Sequence, residues 1–196
     1  MQRFPHVLAA LYVAWFVVLA VNPVSRQVWV AEALPAATLF LGLAFTFPRF
    51  RFSNLAYGLM AIWLFWHTLG AHYTFSLVPF GWITDLFGFQ RNHFDRVAHF
   101  AVGLYAYSIL EYATRRNAAR PWAAYLLALA VIMAVAAGYE IVEWWFAALA
   151  GGDAGPAFLG TQGDPWDPQK DLLADTLGAL CGLLLFRLAG PRPAKA

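Results

Sequence analysis

The sequence predicts an all-α protein, a polytopic transmembrane bundle of about six spanning helices with both termini in the cytoplasm. Hydrophobic residues make up 61% of the 196 residues and charged residues 12%, about half of the ~25% typical of soluble domains. Several apolar stretches reach the roughly 20 residues that a spanning helix needs. The positive charges lie mostly in alternate connecting segments, which predicts the orientation.

The apolar stretches divide residues 1–196 into six predicted spans of a single integral membrane domain. These spans are about 6–22, 28–47, 54–73, 95–113, 121–148 and 171–188. The second contains Pro35 and is expected to kink there, and the fifth is longer than a bilayer requires, so it should tilt or protrude. The aromatic segment at about 78–90 is too short to span, and we expect it to lie at the membrane interface.

Positive charge orients the predicted bundle. With six spans both termini lie on one side, and that side collects most of the cations: Arg3, Arg49, Arg51, Arg115, Arg116, Arg120, Arg187, Arg192 and Lys195. The other side has four: Arg26, Arg91, Arg96 and Lys170. Because cytoplasmic loops carry the excess of Lys and Arg, both termini are predicted to be cytoplasmic. The lipid bilayer is the expected partner. A formal charge of +2 and the lack of a basic cluster with interleaved aromatics argue against nucleic acid.

Acidic and histidine side chains recur at the outer ends of the last four spans. They are His67 and His72, Asp95 and His99, Glu140 and Glu143, and Asp171 and Asp175. The last three pairs are spaced i,i+3 or i,i+4, so the two members of each pair share a helix face. His67 and His72 are five residues apart and point about 140° away from each other. At most one of these two is therefore expected in a common pocket.

This convergence predicts a metal site, because facing carboxylates and imidazoles hold metals in helical bundles. Five carboxylates outnumber the nearby cations Arg91, Arg96 and Lys170, which favours a metal ion, protons or a cationic ligand. The candidate metal ligands are Asp95, His99, Glu140, Glu143, Asp171 and Asp175. Such oxygen-rich donors suit Mg²⁺, Mn²⁺, Ca²⁺ or iron and are compatible with Zn²⁺.

A second group is predicted to surround these ligands. It comprises His67, His72, Arg91, Asp164 and Asp167. For Asp164 and Asp167, turn formation and helix capping are equally good explanations, and Asp171 is also placed to cap the sixth span. The alternative for the whole group is a set of hydrated acids held in ordinary ion pairs.

Three further features have simpler interpretations. Glu111, four residues before Arg115, predicts an exposed helical ion pair at the cytoplasmic end. Glu32, near Pro35, is assigned no role. Gly178 and Gly182 form a small-xxx-small face that predicts close helix packing, either within the bundle or between copies in a homo-oligomer.

Four stretches carry a resemblance to a known family. They are "HTLGAHYTFSLVPFGW" (His67 to Trp82), "FGFQRNHFDRVAHF" (Phe87 to Phe100), "YEIVEWW" (Tyr139 to Trp145) and "FLGTQGDPWDPQKD" (Phe158 to Asp171). In this order they resemble the YjdF-like bacterial inner-membrane proteins, over about residues 58–185. The resemblance implies a multi-pass protein of the bacterial inner membrane and indicates no particular reaction.

A more distant resemblance is to VanZ-like proteins, which are associated with glycopeptide resistance at the cell envelope. It rests on "DRVAHF", a later acidic pair and the pattern Asp-x-x-x-Asp-x-x-Gly from Asp171 to Gly178. In that family the last acidic position is commonly Asn, and its Glu-x-x-Gln element appears here as Glu140 and Glu143. The resemblance implies a role facing the envelope, close to lipid or cell-wall precursors.

Three functions are compatible with these residues. The first is a metal-dependent membrane enzyme, such as a hydrolase of a lipid or envelope precursor, whose site faces the periplasm and uses Glu140 or Glu143 as a general base. The second is a small proton- or ion-coupled transporter, although the acids cluster near one face and no inverted repeat is visible. The third is a structural or accessory membrane protein whose acids lock the outer helix ends.

Overall fold

The computed structural model describes residues 3–150 and 154–191. Within these residues the chain forms nine helices and no strand, which confirms the predicted all-α class. The helices are α1 (Arg3–Leu19), α2 (Arg26–Thr46), α3 (Asn54–Tyr73), α4 (Gly81–Phe87), α5 (Phe94–Gly103), α6 (Ala106–Arg115), α7 (Pro121–Ala150), α8 (Ala154–Leu159) and α9 (Asp167–Ala189). Arg192 and Lys195, which contribute to the predicted orientation, lie outside the described residues.

Three of the described helices, α2, α7 and α9, are long and apolar enough to cross a membrane. The 17-residue helix α1 is apolar but shorter. Helix α3 coincides with the predicted segment 54–73 because Ser53 caps its start, where the Ser53 hydroxyl accepts a hydrogen bond from the Ala56 amide at 3.2 Å. Helix α9 begins at Asp167, four residues earlier than predicted, and Pro168 in its first turn suits a helix start.

The fourth predicted span, 95–113, is not one continuous helix. Helices α5 and α6 are separated by a turn in which the Leu104 amide donates to the Ala101 carbonyl at 3.2 Å, a tighter i,i+3 pattern than that of an α-helix. The Tyr105 hydroxyl donates to the Met60 carbonyl at 2.8 Å and holds this turn against α3. The hydropathy of this segment is the same whether the helix is continuous or broken, so hydropathy could not reveal the break.

Helices α5 and α9 pack with their backbones in contact. A Cβ atom built on Gly178 would overlap the carbonyl oxygen of Phe100, and one on Gly103 would overlap the backbone of Asp175. A Cβ on Gly182 would lie 3.0 Å from the Leu104 carbonyl oxygen. The close packing predicted for Gly178 and Gly182 is therefore found within the chain.

Glu111 is buried, which corrects the predicted exposed ion pair. Its side chain is 0% exposed. The Ser53 amide and hydroxyl donate to its two carboxylate oxygens at 2.9 and 2.7 Å, and Arg115 donates to it at 2.7 Å. The i,i+4 pair exists, but Glu111 also ties the start of α3 to α6. A local spacing rule could not reveal this long-range contact.

We expect the Gly178→Ala substitution to destabilise the protein by about 1–3 kcal/mol, because the added methyl group overlaps backbone that has no rotamer to change. The matched control is Gly138→Ala on α7, where an added Cβ has no neighbour within 4 Å, and its effect should stay below about 1 kcal/mol. Thermal unfolding in detergent measures both. Equal melting temperatures for the two variants would contradict the packing described.

Candidate functional site

His99 lies between carboxylates on helices α5 and α9. Its Nδ1 is 3.1 Å from Oδ2 of Asp175, and its Nε2 is 3.7 Å from Oδ1 of Asp95. One ligand atom from each of Asp95, His99 and Asp171 lies within 4.8 Å of the others. These four residues, Asp95, His99, Asp171 and Asp175, are called the acid–histidine cluster below.

The sequence places these groups together through two helix starts. Asp95 is in the first turn of α5 and Asp171 lies one turn into α9, so both carboxylates are near the positive end of a helix dipole. The i,i+4 spacings then direct Asp95 and His99 to one side of α5, and Asp171 and Asp175 to one side of α9. Because these helices pack closely at Gly103 and Gly178, the two sides face each other.

Beside this cluster lies a second group of charged residues, whose acids and bases form ion pairs with one another. Arg91 binds Asp167 through both terminal nitrogens, and Arg96 contacts the same carboxylate. Lys170 donates to Oδ2 of Asp164 at 2.7 Å. We call these residues, Arg91, Arg96, Asp164, Asp167 and Lys170, the loop ion cluster. Ordinary ion pairing therefore accounts for the positions of Asp164 and Asp167.

The two clusters meet at Arg96, whose Nε lies 2.5 Å from Oδ1 of Asp171. Among the described residues, no arginine or lysine forms an ion pair with Asp95, Asp175 or the acids of α7. Asp175 is 0% exposed, and its Oδ1 has no hydrogen-bond partner. Because a buried carboxylate oxygen without a partner is costly, a bound cation or a proton would stabilise this arrangement.

The two acids of α7 contribute no ligand atom to the group of Asp95, His99 and Asp171. Glu140 nevertheless interacts electrostatically with all four residues of the acid–histidine cluster, and its Oε1 is buried without a hydrogen-bond partner. Glu143 lines a cavity beside Asp95 and His99. Both glutamates therefore lie near the acid–histidine cluster, but neither belongs to the three residues whose ligand atoms are closest together.

The two histidines of α3 lie in different surroundings, as their spacing predicts. His72 lies 2.8 Å from the Leu19 carbonyl through its Nδ1 and so connects α3 to the end of α1. His67 lines the same cavity as His99. Its Nε2 lies 2.9 Å from the Glu32 carbonyl, and because a carbonyl only accepts, this nitrogen carries the proton.

Sequence reasoning missed Glu32 and Tyr139. Glu32 is 2% exposed in the apolar helix α2, and the Tyr139 hydroxyl donates to its Oε2 at 2.6 Å. His67 Nε2 is 3.5 Å from the same oxygen. A carboxylate inside an apolar span is by default a candidate functional residue, and that signal was available in the sequence.

A cavity of about 370 Å³ lies between these polar groups; we call it the central cavity. Its polar end is lined by Glu32, His67, Asp95, His99, Tyr139, Glu143 and Asp175. Much of the rest of its wall is apolar, from α2, α3, α5, α6 and α7. The buried acids therefore face one shared cavity that also has a long apolar surface.

The hydrogen bond from Lys170 lowers the pKa of Asp164, which lies in the loop before α9, from 3.8 to about 2. A carboxylate with a depressed pKa in the folded state stabilises the protein above its unfolded pKa, and this contribution is lost as the pH falls through the folded pKa. We expect the melting temperature of wild type to exceed that of Asp164→Asn at neutral pH, and the difference to vanish as the pH falls to about 2. A difference that persists unchanged at low pH would contradict the pairing.

The comparisons with known proteins agree with this architecture. Residues 4–192 match the family model described as "Predicted membrane protein (DUF2238)". Inner membrane protein YjdF of Escherichia coli (strain K12) is 33% identical over 166 residues, which cover 83% of this chain and 78% of that protein. No solved structure matches. The family model spans nearly the whole chain, and three of the described helices can cross a membrane. The chain thus belongs to the DUF2238 family of membrane proteins, and the predicted resemblance to YjdF-like inner-membrane proteins is confirmed.

Proposed function

We propose that this protein is an inner-membrane enzyme that binds a divalent metal ion at the acid–histidine cluster and acts on a lipid or envelope precursor. The observation that carries the proposal is the convergence of Asp95, His99 and Asp171, two of which line the polar end of the central cavity. In our proposal the chain forms one domain, and this cluster faces the periplasm.

The donor geometry supports a metal site. His99 has Asp175 on its Nδ1, which leaves Nε2 directed towards Asp95. A carboxylate that accepts from the far nitrogen of a histidine fixes its tautomer and raises the basicity of the ligating nitrogen. Asp171 pairs with Arg96 through Oδ1 and contributes one carboxylate oxygen to the group of three donors. Two carboxylates and one imidazole suit Mn²⁺, iron or Zn²⁺, and also accept Mg²⁺ or Ca²⁺.

The residues around this set fit hydrolytic chemistry. A bound divalent ion would polarise a phosphoryl oxygen or acidify a water molecule. Glu143 lines the central cavity beside Asp95 and His99, so it is our first choice for the general base. Glu140 has a buried oxygen without a partner and is the second choice. Arg96 holds Asp171 in place from the side of the loop ion cluster.

The proposed orientation has six spans, with α5 and α6 together forming the fourth, and both termini in the cytoplasm. Arginines of the α2–α3 and α6–α7 loops support it. Arg115 donates to the Arg51 carbonyl at 2.7 Å, and Arg116 donates to the Arg49 carbonyl at 2.9 Å, so these two basic segments meet at one end of the bundle. An excess of arginine at one end is typical of the cytoplasmic side.

A structural role is the second candidate, and the loop ion cluster favours it. Arg91, Arg96 and Lys170 pair with Asp164 and Asp167 and join the loop before α5 to the start of α9. If the acid–histidine cluster serves the same purpose, it should hold no metal. A proton- or ion-coupled carrier is the third candidate, because buried carboxylates also mark ion paths.

Metal content tests the proposal. We expect freshly purified wild type to contain a stoichiometric divalent metal by elemental analysis, and Asp95→Asn and His99→Gln to lose it because each removes a donor. Asp175→Asn should weaken metal affinity about 10–100-fold by removing the group that orients His99. The matched control is Asp164→Asn, which removes a nearby acid of the loop ion cluster and should retain the metal.

Thermal unfolding must first show that each variant is folded. Wild type without metal, or equal metal in all variants, would reject the metal site. In that case, proton-coupled ion uptake in vesicles would favour the carrier, and its absence would favour the structural role.

A further inference from the structure

The central cavity continues from the acid–histidine cluster into the apolar interior of the bundle. On α7 its lining runs from Glu143 to Val131, a rise of about 18 Å along the helix. Pro35 and Leu39 of α2 contribute to its apolar lining. Because the polar groups are concentrated at one end, the shape and chemistry match an elongated amphiphile rather than a compact polar molecule.

The cavity also has an exposed side. Val135 lines the cavity and is 59% exposed, so the wall at α7 is not closed. Helices α2 and α7 are linked at the polar end by the hydrogen bond between Tyr139 and Glu32. An apolar helix exposed in a membrane faces lipid tails, so a ligand can enter from the bilayer without passing through water.

The polar end contains a carboxylate oxygen that lacks a hydrogen-bond partner. Asp175 is fully buried, lines the cavity, and its Oδ1 accepts no hydrogen bond. This orphaned oxygen points to a ligand at this end, independently of the number of acids around it. The cavity volume of about 370 Å³ accommodates about a dozen groups of the size of water, at ~30 Å³ each. That is enough for one hydrocarbon chain but not for the two chains of a phospholipid.

We propose that the central cavity binds a single-chain amphiphile with a phosphate head, taken from the bilayer between α2 and α7. The chain lies along α7 towards Val131, and the head lies at the acid–histidine cluster. This inference rests on the proposed function, because carboxylates without a metal ion repel a phosphate. It adds the class of substrate and its route of entry.

Photo-cross-linking tests the placement of the chain. The probe is dodecyl phosphate with a diazirine at the end of its alkyl chain, added to the full-length protein with its metal. We expect labelling of the α7 peptide around Val131 and of α2 around Leu39, and its suppression by excess unlabelled dodecyl phosphate. Inorganic phosphate should compete far more weakly, because it cannot occupy the apolar part of the cavity.

A matched pair of variants tests the cavity itself. Ala136→Trp places a large side chain at a buried position that lines the cavity, and we expect it to lower labelling about tenfold or more, the factor that a loss of 1.4 kcal/mol gives. Ala134→Trp adds the same side chain at an exposed position of α7 and should leave labelling unchanged. If Ala136→Trp fails to fold, competition by unlabelled dodecyl phosphate in the wild-type protein still tests the chain site.

The results separate the two proposals. Labelling spread over exposed positions such as Leu126 and Leu127, without competition by dodecyl phosphate, would overturn the binding of a chain in the cavity. If the protein nevertheless retained stoichiometric metal, the proposed function would stand. Competed labelling around Val131 in a protein without metal would place the chain in the cavity, but it would reject both the metal enzyme and the position of the phosphate head at the acid–histidine cluster.

Discussion

The backbone contact between α5 and α9 is the constraint on which the candidate site depends. At Gly103 and Gly178 the two helices approach so closely that neither position has room for a Cβ atom. One turn away, this approach places His99 against Asp175 at 3.1 Å. Side chains of this length cannot bridge a wider helix separation, so larger residues at the glycines would part the imidazole from the carboxylate. Small residues at this interface thus serve packing and chemistry together.

Electrostatics divides the acids of this end of the bundle into two unlike groups. In the loop ion cluster every carboxylate has a cationic partner, so a further cation would gain little there. In the acid–histidine cluster Asp95 and Asp175 have only the imidazole of His99 between them. Buried carboxylates that outnumber their cations repel each other. The second group, and not the first, is therefore where an added positive charge lowers the free energy.

Hydropathy and spacing predicted most of the helices and the approach of their polar ends, but not the helix α8. The long apolar stretches correctly predicted helix in each of the six segments. The i,i+4 spacing correctly placed Asp95 and His99 on one side of α5. These are local properties of the chain. The turn at Leu104 was not predictable, because one changed hydrogen-bond pattern leaves hydropathy unaltered.

The partners of the charged groups were also beyond the sequence. Arg91 pairs with Asp167, and Glu111 is buried against Ser53. Both contacts join residues more than fifty positions apart, so local spacing could not predict them. Glu32 was overlooked for a different reason. Its neighbourhood holds no second polar residue at helical spacing, and its partner Tyr139 comes from α7, far along the chain.

Helix α7 connects the two halves of the central cavity. It carries Tyr139, which reaches across to Glu32, and Glu143, which is exposed to the same space one turn further on. Three to four residues in the other direction it presents Val135 and Ala136 to the apolar part. Because one rigid helix carries all of these side chains, a displacement of α7 from α2 would widen the exposed side and move Glu143 relative to His99 at the same time. Entry of a ligand and the position of the proposed base are therefore geometrically linked, and the Tyr139–Glu32 hydrogen bond opposes such a displacement.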